Sequence, residues 1–296
     1  MGRRATIACI AATAWLAAWP GAAQGSPASL AGARSFAFAI GSGMLRGGVG
    51  AVGERFAPFD VVVVDGEEAT RADVAAIARH GTVVLGYLSV GTIERWRSWY
   101  PLLRAYRLNP DRDWSGEWFA DASRRGFRRA LLRRIAPRLL AKGFDGLFLD
   151  NVDMVETRNH RAQRPGMRHL VRRLAALVHG EGGLLFAQNG AWALRRLRLA
   201  RLLDGWNRED VTFTYDFARH RYARVRPGAH REAMRELRRM RRRFGLLTTA
   251  TDYTARARGR AARAAIASAC AAGALPYVSD IGLTLRRLPD PPLACP

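Results

Sequence analysis

The residues able to do chemistry in this chain stand at the ends of apolar runs. Phe59 to Val64 ends on Asp65, and the run VVLGYLSVG, Val83 to Gly91, carries Tyr87. Gly146-Leu147-Phe148-Leu149 is followed at once by Asp150, Asn151, Asp153 and Glu156. Gly183 to Ala187 runs into Gln188-Asn189, Asp204 to Asn207 into Glu209 and Asp210, Gly245 to Ala250 into Asp252-Tyr253, and Leu275 to Val278 into Ser279-Asp280. Acids and amides that keep this phase converge on one mouth if the runs are parallel strands. For Asp153 and Glu156 the competing reading is turn chemistry leading into the next helix. Paired carboxylates among aromatics suit glycoside hydrolysis: one protonates the leaving oxygen, the other attacks the anomeric carbon or activates water. The cysteines lack zinc-finger spacing, the six histidines are scattered, and there is no phosphate loop. Neither a metal nor a cofactor is expected.

The elements that must position these groups alternate. Strand-like runs begin at Ser35, Phe59, Val83, Gly146, Gly183, Asp204, Gly245 and Leu275. Helical patterns fall at Thr70 to His80 with Thr70 as N-cap, Gly126 to Leu140 with a kink at Pro137, Arg164 to His179, Leu194 to Leu203, Arg231 to Arg243 and Ala255 to Ala272. Eight strands mostly separated by helices, in roughly 270 residues, predict an α/β fold, a single-domain (β/α)8 TIM barrel. A long excursion, Ile93 to Asp121, carries Trp96, Trp99, Trp114 and Trp118, which either offer platforms to sugar rings or pack the excursion onto the barrel.

The chain has 296 residues, 49% of them hydrophobic, enough for a full core. Arg3 and Arg4, an apolar stretch from Ile7 to Trp19, and Gly21-Ala22-Ala23 read as a secretory signal over residues 1–23. The stretch is short for a membrane span. A linker over 24–34, the barrel over 35–288 and a proline-rich tail over 289–296 complete the expected organisation, for a secreted or periplasmic monomer. Cys9 lies in the signal. Cys270 and Cys295 remain, either a disulfide tying the tail to the last helix or two free thiols. The net charge is +23, nearly all from arginine, since Lys142 is the only lysine. Arginines cluster at Arg124 to Arg138, Arg168 to Arg173, Arg195 to Arg201 and Arg231 to Arg243, as solvated helix faces. No nucleic-acid motif accompanies them, so nucleic acid is not an expected partner.

Several strings together resemble glycoside hydrolase family 114, the endo-α-1,4-polygalactosaminidase-like barrels. They are GYLSVG with Glu94, Arg97 and Trp99, then WSGEWFAD, KGFDGLFLDNVDMVE, QNG, Glu209 after LDG, and TDY, spanning about Ser35 to Gly282. The resemblance implies cleavage of an α-1,4-linked galactosamine polysaccharide, with retention. It makes Asp150 the nucleophile and Glu209 the general acid/base, with Asp210 as the neighbour able to displace Glu209. Asp65, Tyr87, Asp153, Asn189, Tyr253 and Asp280 are the expected substrate-binding residues. Where the family often has an acid after the glycine of YLSVG, this chain has Thr92. A deacetylated galactosamine polymer is cationic, which sets it against a basic protein at long range. Either an acidic mouth dominates locally, or the substrate is acetylated, neutral or anionic.

Three other readings compete. Gly41-Ser42-Gly43 after a strand, with Asp65 ending the next, approximates a dinucleotide fingerprint, but its third glycine is misplaced: Arg46 stands there and Gly47 follows. A barrel that binds glycan without cutting it is the second. A basic scaffold for nucleic acid or membrane, with steeply salt-dependent binding, is the third.

Overall fold

The structure, a computed structural model, describes residues 30–284 and Cys295. The expected signal, most of the linker and most of the tail lie outside the described residues.

The β-branched and apolar runs form the strands. β1 (Phe36–Ala39) and β2 (Val61–Asp65) flank α1 (Gly48–Phe56), and α2 (Arg71–Ala78) leads to β3 (Val83–Ser89). Every residue of these three strands is buried, as expected of strands covered on both faces. Thr70 caps α2 in a capping box with Asp73. The tryptophan-rich excursion builds β4 (Thr92–Glu94), α3 (Tyr100–Leu103), β5 (Arg107–Pro110) and β6 (Glu117–Ala120), a small antiparallel sheet that the sequence pattern does not reveal.

The helix expected from Gly126 is α4 (Arg125–Ala130), a π-helical turn (Leu131–Ile135) and α5 (Ala136–Leu140). The wide turn, in which Ala136 N–H reaches back to the Leu131 carbonyl, immediately precedes Pro137, which has no N–H to continue the ladder. β7 (Gly146–Asp150), α6 (Arg164–Gly180), β8 (Leu184–Gln188), α7 (Ala191–Arg196) and β9 (Gly205–Glu209) follow. The helix expected over Leu194 to Leu203 stops at Arg196, because Arg198 adopts a left-handed backbone with φ 58°. A hairpin, β10 (Phe213–Asp216) and β11 (Arg221–Arg224), precedes α8 (Pro227–Phe244), β12 (Leu247–Tyr253), α9 (Arg260–Ala272) and β13 (Leu275–Ser279).

Eight strands pair in parallel in the order β1-β2-β3-β7-β8-β9-β12-β13. β13 lies against β1, so the sheet is a nearly closed barrel. Aromatic rings fill its interior. Phe38 lies 5.1 Å from Phe148 between ring centroids, and Phe36 meets Tyr277 edge-on at 6.1 Å across the seam. Gly205 makes room there: a Cβ on it would sit 2.2 Å from the Phe186 ring. Outside, Met167, Leu170, Val171, Leu174 and Val178 form the buried stripe of α6.

Gly41 settles the dinucleotide reading. Its N–H donates to the Leu283 carbonyl at 3.2 Å, and a Cβ would clash with that oxygen at 2.2 Å. The glycine admits the chain's own backbone at the barrel mouth rather than a pyrophosphate.

Cys270 and Cys295 form a disulfide that fastens the tail to α9. It closes a loop of sequence separation 25. The chain-entropy relation for such a loop gives about 3.5 kcal/mol. The Cys270→Ser/Cys295→Ser protein is expected to unfold at lower urea concentration by that much stability. Equal midpoints with and without the bridge would show that the crosslink is energetically idle.

Candidate active site

Because side chains alternate along a strand, Phe148 and Asp150 point the same way, as do Asn207 and Glu209, and Thr249, Thr251 and Tyr253. In each set the last residue reaches the C-terminal mouth, where a cleft of about 680 Å3 opens.

Two carboxylates meet at its base. Asp150 Oδ2 accepts the Tyr87 hydroxyl at 2.6 Å, and Oδ1 accepts the Asn151 backbone N–H at 2.6 Å and Gln188 Nε2 at 3.1 Å. Glu209 Oε2 accepts Gln188 Nε2 and Asn189 Nδ2, each at 2.8 Å, while Oε1 accepts the Tyr253 hydroxyl. One amide nitrogen therefore serves both acids. An NH2 group aims its two hydrogens about 120° apart, which sets the accepting oxygens ~5 Å from each other.

The orientation of that amide is fixed from behind. Thr249 and Thr251 hydroxyls donate to Asn207 Oδ1 at 2.7 and 3.1 Å. Asn207 Nδ2 must then donate to Gln188 Oε1, at 3.0 Å, leaving Gln188 Nε2 to face the acids. Asn207, Thr249 and Thr251 are fully buried. Sequence reasoning missed all three and gave Gln188 no role of its own. The period-two pattern of β9 and β12, which places Asn207 below Glu209 and two threonines below Tyr253, was the available signal.

Burial raises Asp150 above the ordinary carboxylate range, against three donors that favour its ion. Glu209 is pushed up to about 8 by burial, then by the charges of Asp150 and Asp210. Burial and the adjoining acids also raise the Tyr87 and Tyr253 phenols, which keeps both as hydrogen-bond donors at neutral pH.

The other sequence-predicted residues divide. Asp65, Tyr87, Asn189 and Tyr253 line the cleft. Asp65 is occupied, however: Arg97 Nη1 donates to both its oxygens at 2.8 and 2.7 Å, and Arg97 also pairs with Glu94 at 2.7 and 3.1 Å. Asp153 and Asp280 are not on the cleft wall. Asp153 belongs to a 3-10 turn (Val152–Glu156), and burial followed by Asp150 and Glu156 raises it to about 7. Asp280 accepts the Thr284 N–H and hydroxyl, both at 2.9 Å, and closes the turn after β13. Glu156 tethers α7 through the Ala193 N–H at 2.8 Å. Asp252 holds the start of the hairpin through Thr212 and Phe213 N–H.

The four tryptophans split as well. Trp96 and Trp114 line the cleft, 56% and 42% exposed. Trp99 packs on the core and Trp118 stacks against Tyr100. Trp114 meets Phe217 edge-on at 5.4 Å, so the excursion and the β10-β11 hairpin touch across the rim.

The cleft is acidic in a basic protein. Glu68, Glu94, Asp113, Glu117 and Asp210 join Asp65, Asp150 and Glu209 on its wall, eight of the chain's 25 acids, against Arg97 as the basic residue there. Glu117 is pushed up to about 8 by burial, with Glu94 and Asp150 adding to it.

Comparison with known proteins identifies the family and the fold. The model of glycoside-hydrolase family GH114 matches residues 19–285. The glycoside hydrolase domain of PelA from Pseudomonas aeruginosa superposes with a TM-score of 0.70 at 23% identity, covering 86% of this chain and 96% of that one. Aspergillus fumigatus Ega3, solved with galactosamine, gives 0.64 at 16% identity, covering 85% and 92%. An uncharacterized protein of Deinococcus radiodurans is 31% identical over 180 residues, 55% of this chain and 56% of that protein, so the match spans little more than half of the relative's length.

Proposed function

The chain belongs to glycoside hydrolase family GH114, and from that premise we propose that it hydrolyses a galactosamine polysaccharide bearing free amino groups, with Asp150 as nucleophile and Glu209 as general acid/base. The observation that carries the mechanism is the Gln188 amide bonded to both carboxylates. The ~5 Å between the accepting oxygens suits a retaining enzyme, where the carboxyl groups stand about 5–5.5 Å apart, and is short of the spacing that admits an attacking water. Asp150, its ion held by three donors, attacks the anomeric carbon. Glu209 gives its proton to the departing glycosidic oxygen. Glu209, now ionised, takes a proton from water that attacks the anomeric carbon and frees Asp150. The hydrogen bonds to Asp150 favour its ion, while burial beside the charges of Asp150 and Asp210 keeps the proton on Glu209, which fits these two roles.

The acidic wall carries the substrate class. An ammonium group at each sugar gains from this wall even after Arg97 offsets Asp65 and Glu94 and burial leaves Glu117 and Glu209 protonated near neutrality, because Glu68, Asp113, Asp150 and Asp210 remain. Thus the mouth, not the net charge of +23, governs capture. The galactosamine in the Ega3 structure supports the same class. The disulfide and the signal-like N-terminus favour action outside the cytoplasm, as a secreted or periplasmic enzyme. Among the described residues no helix is long and apolar enough to cross a membrane.

Reducing-end release from deacetylated and fully N-acetylated galactosamine polymers tests this. Deacetylated polymer is expected to be cut at least about tenfold faster at low salt, and the preference should shrink as salt screens the ammonium groups. Equal rates on both polymers would remove the charge argument. Binding without release from either would make this a glycan-binding barrel.

A further inference from the structure

The arginine run Arg195 to Arg201 is not used by the cleft. It lines a second cavity, of about 590 Å3, between the α7 stretch and the C-terminal end of α8. Arg195, Arg196, Arg198, Arg201 and Arg243 stand on its wall with Trp192 and Phe244, and among the described residues no acid joins them. None of these five arginines forms an ion pair with a described residue. Arg195 is partly engaged: its Nε donates to the Ala191 carbonyl at 3.0 Å, and it lies in the field of Glu236. The other four are exposed.

Their arrangement concentrates like charge on one wall. Arg201 and Arg243 both lie over the Phe244 ring, each 5.9 Å from its centroid, so two cations share one face of the protein. Arg198 occupies a left-handed backbone that residues other than glycine and asparagine rarely adopt, and that break in the expected helix shapes the wall. Trp192 is 38% exposed, with Arg164 stacked on its ring at 4.6 Å.

We propose that this cavity binds an acidic glycan, a polymer whose sugar units carry carboxylates. Guanidinium forks take carboxylate oxygens in pairs. The exposed indole offers its apolar surface to a sugar ring. A single-stranded nucleic acid fits less well, because it needs successive rings along a track and the cavity presents one accessible indole. The inference stands apart from the chemistry of the cleft. Its consequence is electrostatic: a bound polyanion cancels part of the positive charge that repels a cationic chain at long range.

The test uses the mature protein and an oligogalacturonate, with binding followed by calorimetry at fixed ionic strength. Arg198→Ala/Arg201→Ala should weaken binding by about tenfold or more, and Trp192→Ala should also weaken it with charge unchanged. Arg133→Ala/Arg134→Ala removes the same charge from an exposed part of another helix and should change affinity by less than about threefold. Equal losses in the two double variants would reduce the effect to bulk charge and overturn the proposal. So would absence of binding by the wild-type protein. A single-stranded oligonucleotide of equal charge that binds as tightly, with the same dependence on Trp192, would assign the site to nucleic acid instead.

Discussion

Asp150→Asn is expected to lower turnover of the galactosamine polymer by about a thousandfold or more, roughly 4 kcal/mol of lost transition-state stabilisation. The amide keeps the shape of the carboxylate and can still meet Asn151 and Gln188, so the fold and polymer binding should persist. What it removes is the proposed nucleophile. Glu209→Gln should cost about as much on the natural polymer, whose leaving sugar needs a proton. It should cost far less in the first step on an aryl glycoside, whose leaving group departs without one. The pH profile separates the two. A general acid works while protonated, so wild-type activity should hold below the raised value of Glu209 and fall as pH rises through about 8. The Glu209→Gln protein should lack that limb. Stopped assays of reducing ends and of aryl release, from pH 5 to 9, measure both effects. Full activity in Asp150→Asn would end the assignment. Survival of polymer cleavage in Glu209→Gln would move the acid to another residue, with Asp210, on the same wall, the first to test.

Arg97→Met is expected to destabilise the fold by about 3–5 kcal/mol, the cost of leaving buried charge unpaired. The side chains of Arg97, Asp65 and Glu94 are 5%, 8% and 7% exposed, so water does little for either acid once the guanidinium is gone. Arg97 is itself held ionised, its pKa raised by both carboxylates against the effect of burial. The loss should depend on pH. Burial already raises Glu94 against the effect of Arg97, and without the cation it rises further above its unfolded value. The variant then keeps its stability where this acid is protonated and loses it as pH rises through the folded-state value. Urea denaturation of both proteins at pH 5 and pH 8 should show the larger gap at pH 8. A triple variant, Asp65→Asn/Glu94→Gln/Arg97→Met, should recover much of the loss, because no charge is left buried. A deficit below about 1 kcal/mol in Arg97→Met would mean that solvent reaches the triad.

The strands could be read from the chain because their evidence is local. Val61 to Asp65 is β-branched and wholly buried, and a two-residue period is enough to place Asp150, Glu209 and Tyr253 at strand ends on the same phase. The excursion and the hairpin could not, since their short antiparallel strands are partly exposed and carry weak alternation. The expected helix through Leu203 failed at one residue, Arg198, whose left-handed backbone closes the helix end, with Leu199 N–H reaching back to the Leu194 carbonyl at 2.7 Å.

The site shows the same division. By itself the sequence determined that the residues ending the strands, Asp65, Asp150, Gln188, Glu209 and Tyr253, reach the barrel mouth, since strand period and chain order are local properties carried into any parallel barrel. Only the tertiary structure decided what each one does there. Asp65 is taken by an arginine 32 residues away, Asp280 turns to Thr284, and Asp153 stands off the cleft wall. Gln188 joins two acids because Asn207 and two threonines on neighbouring strands hold its amide in one orientation. These outcomes depend on distances across strands that closure of the sheet alone brings within hydrogen-bonding reach, and on burial, which turns such contacts into shifted pKa values and makes an unpaired charge expensive.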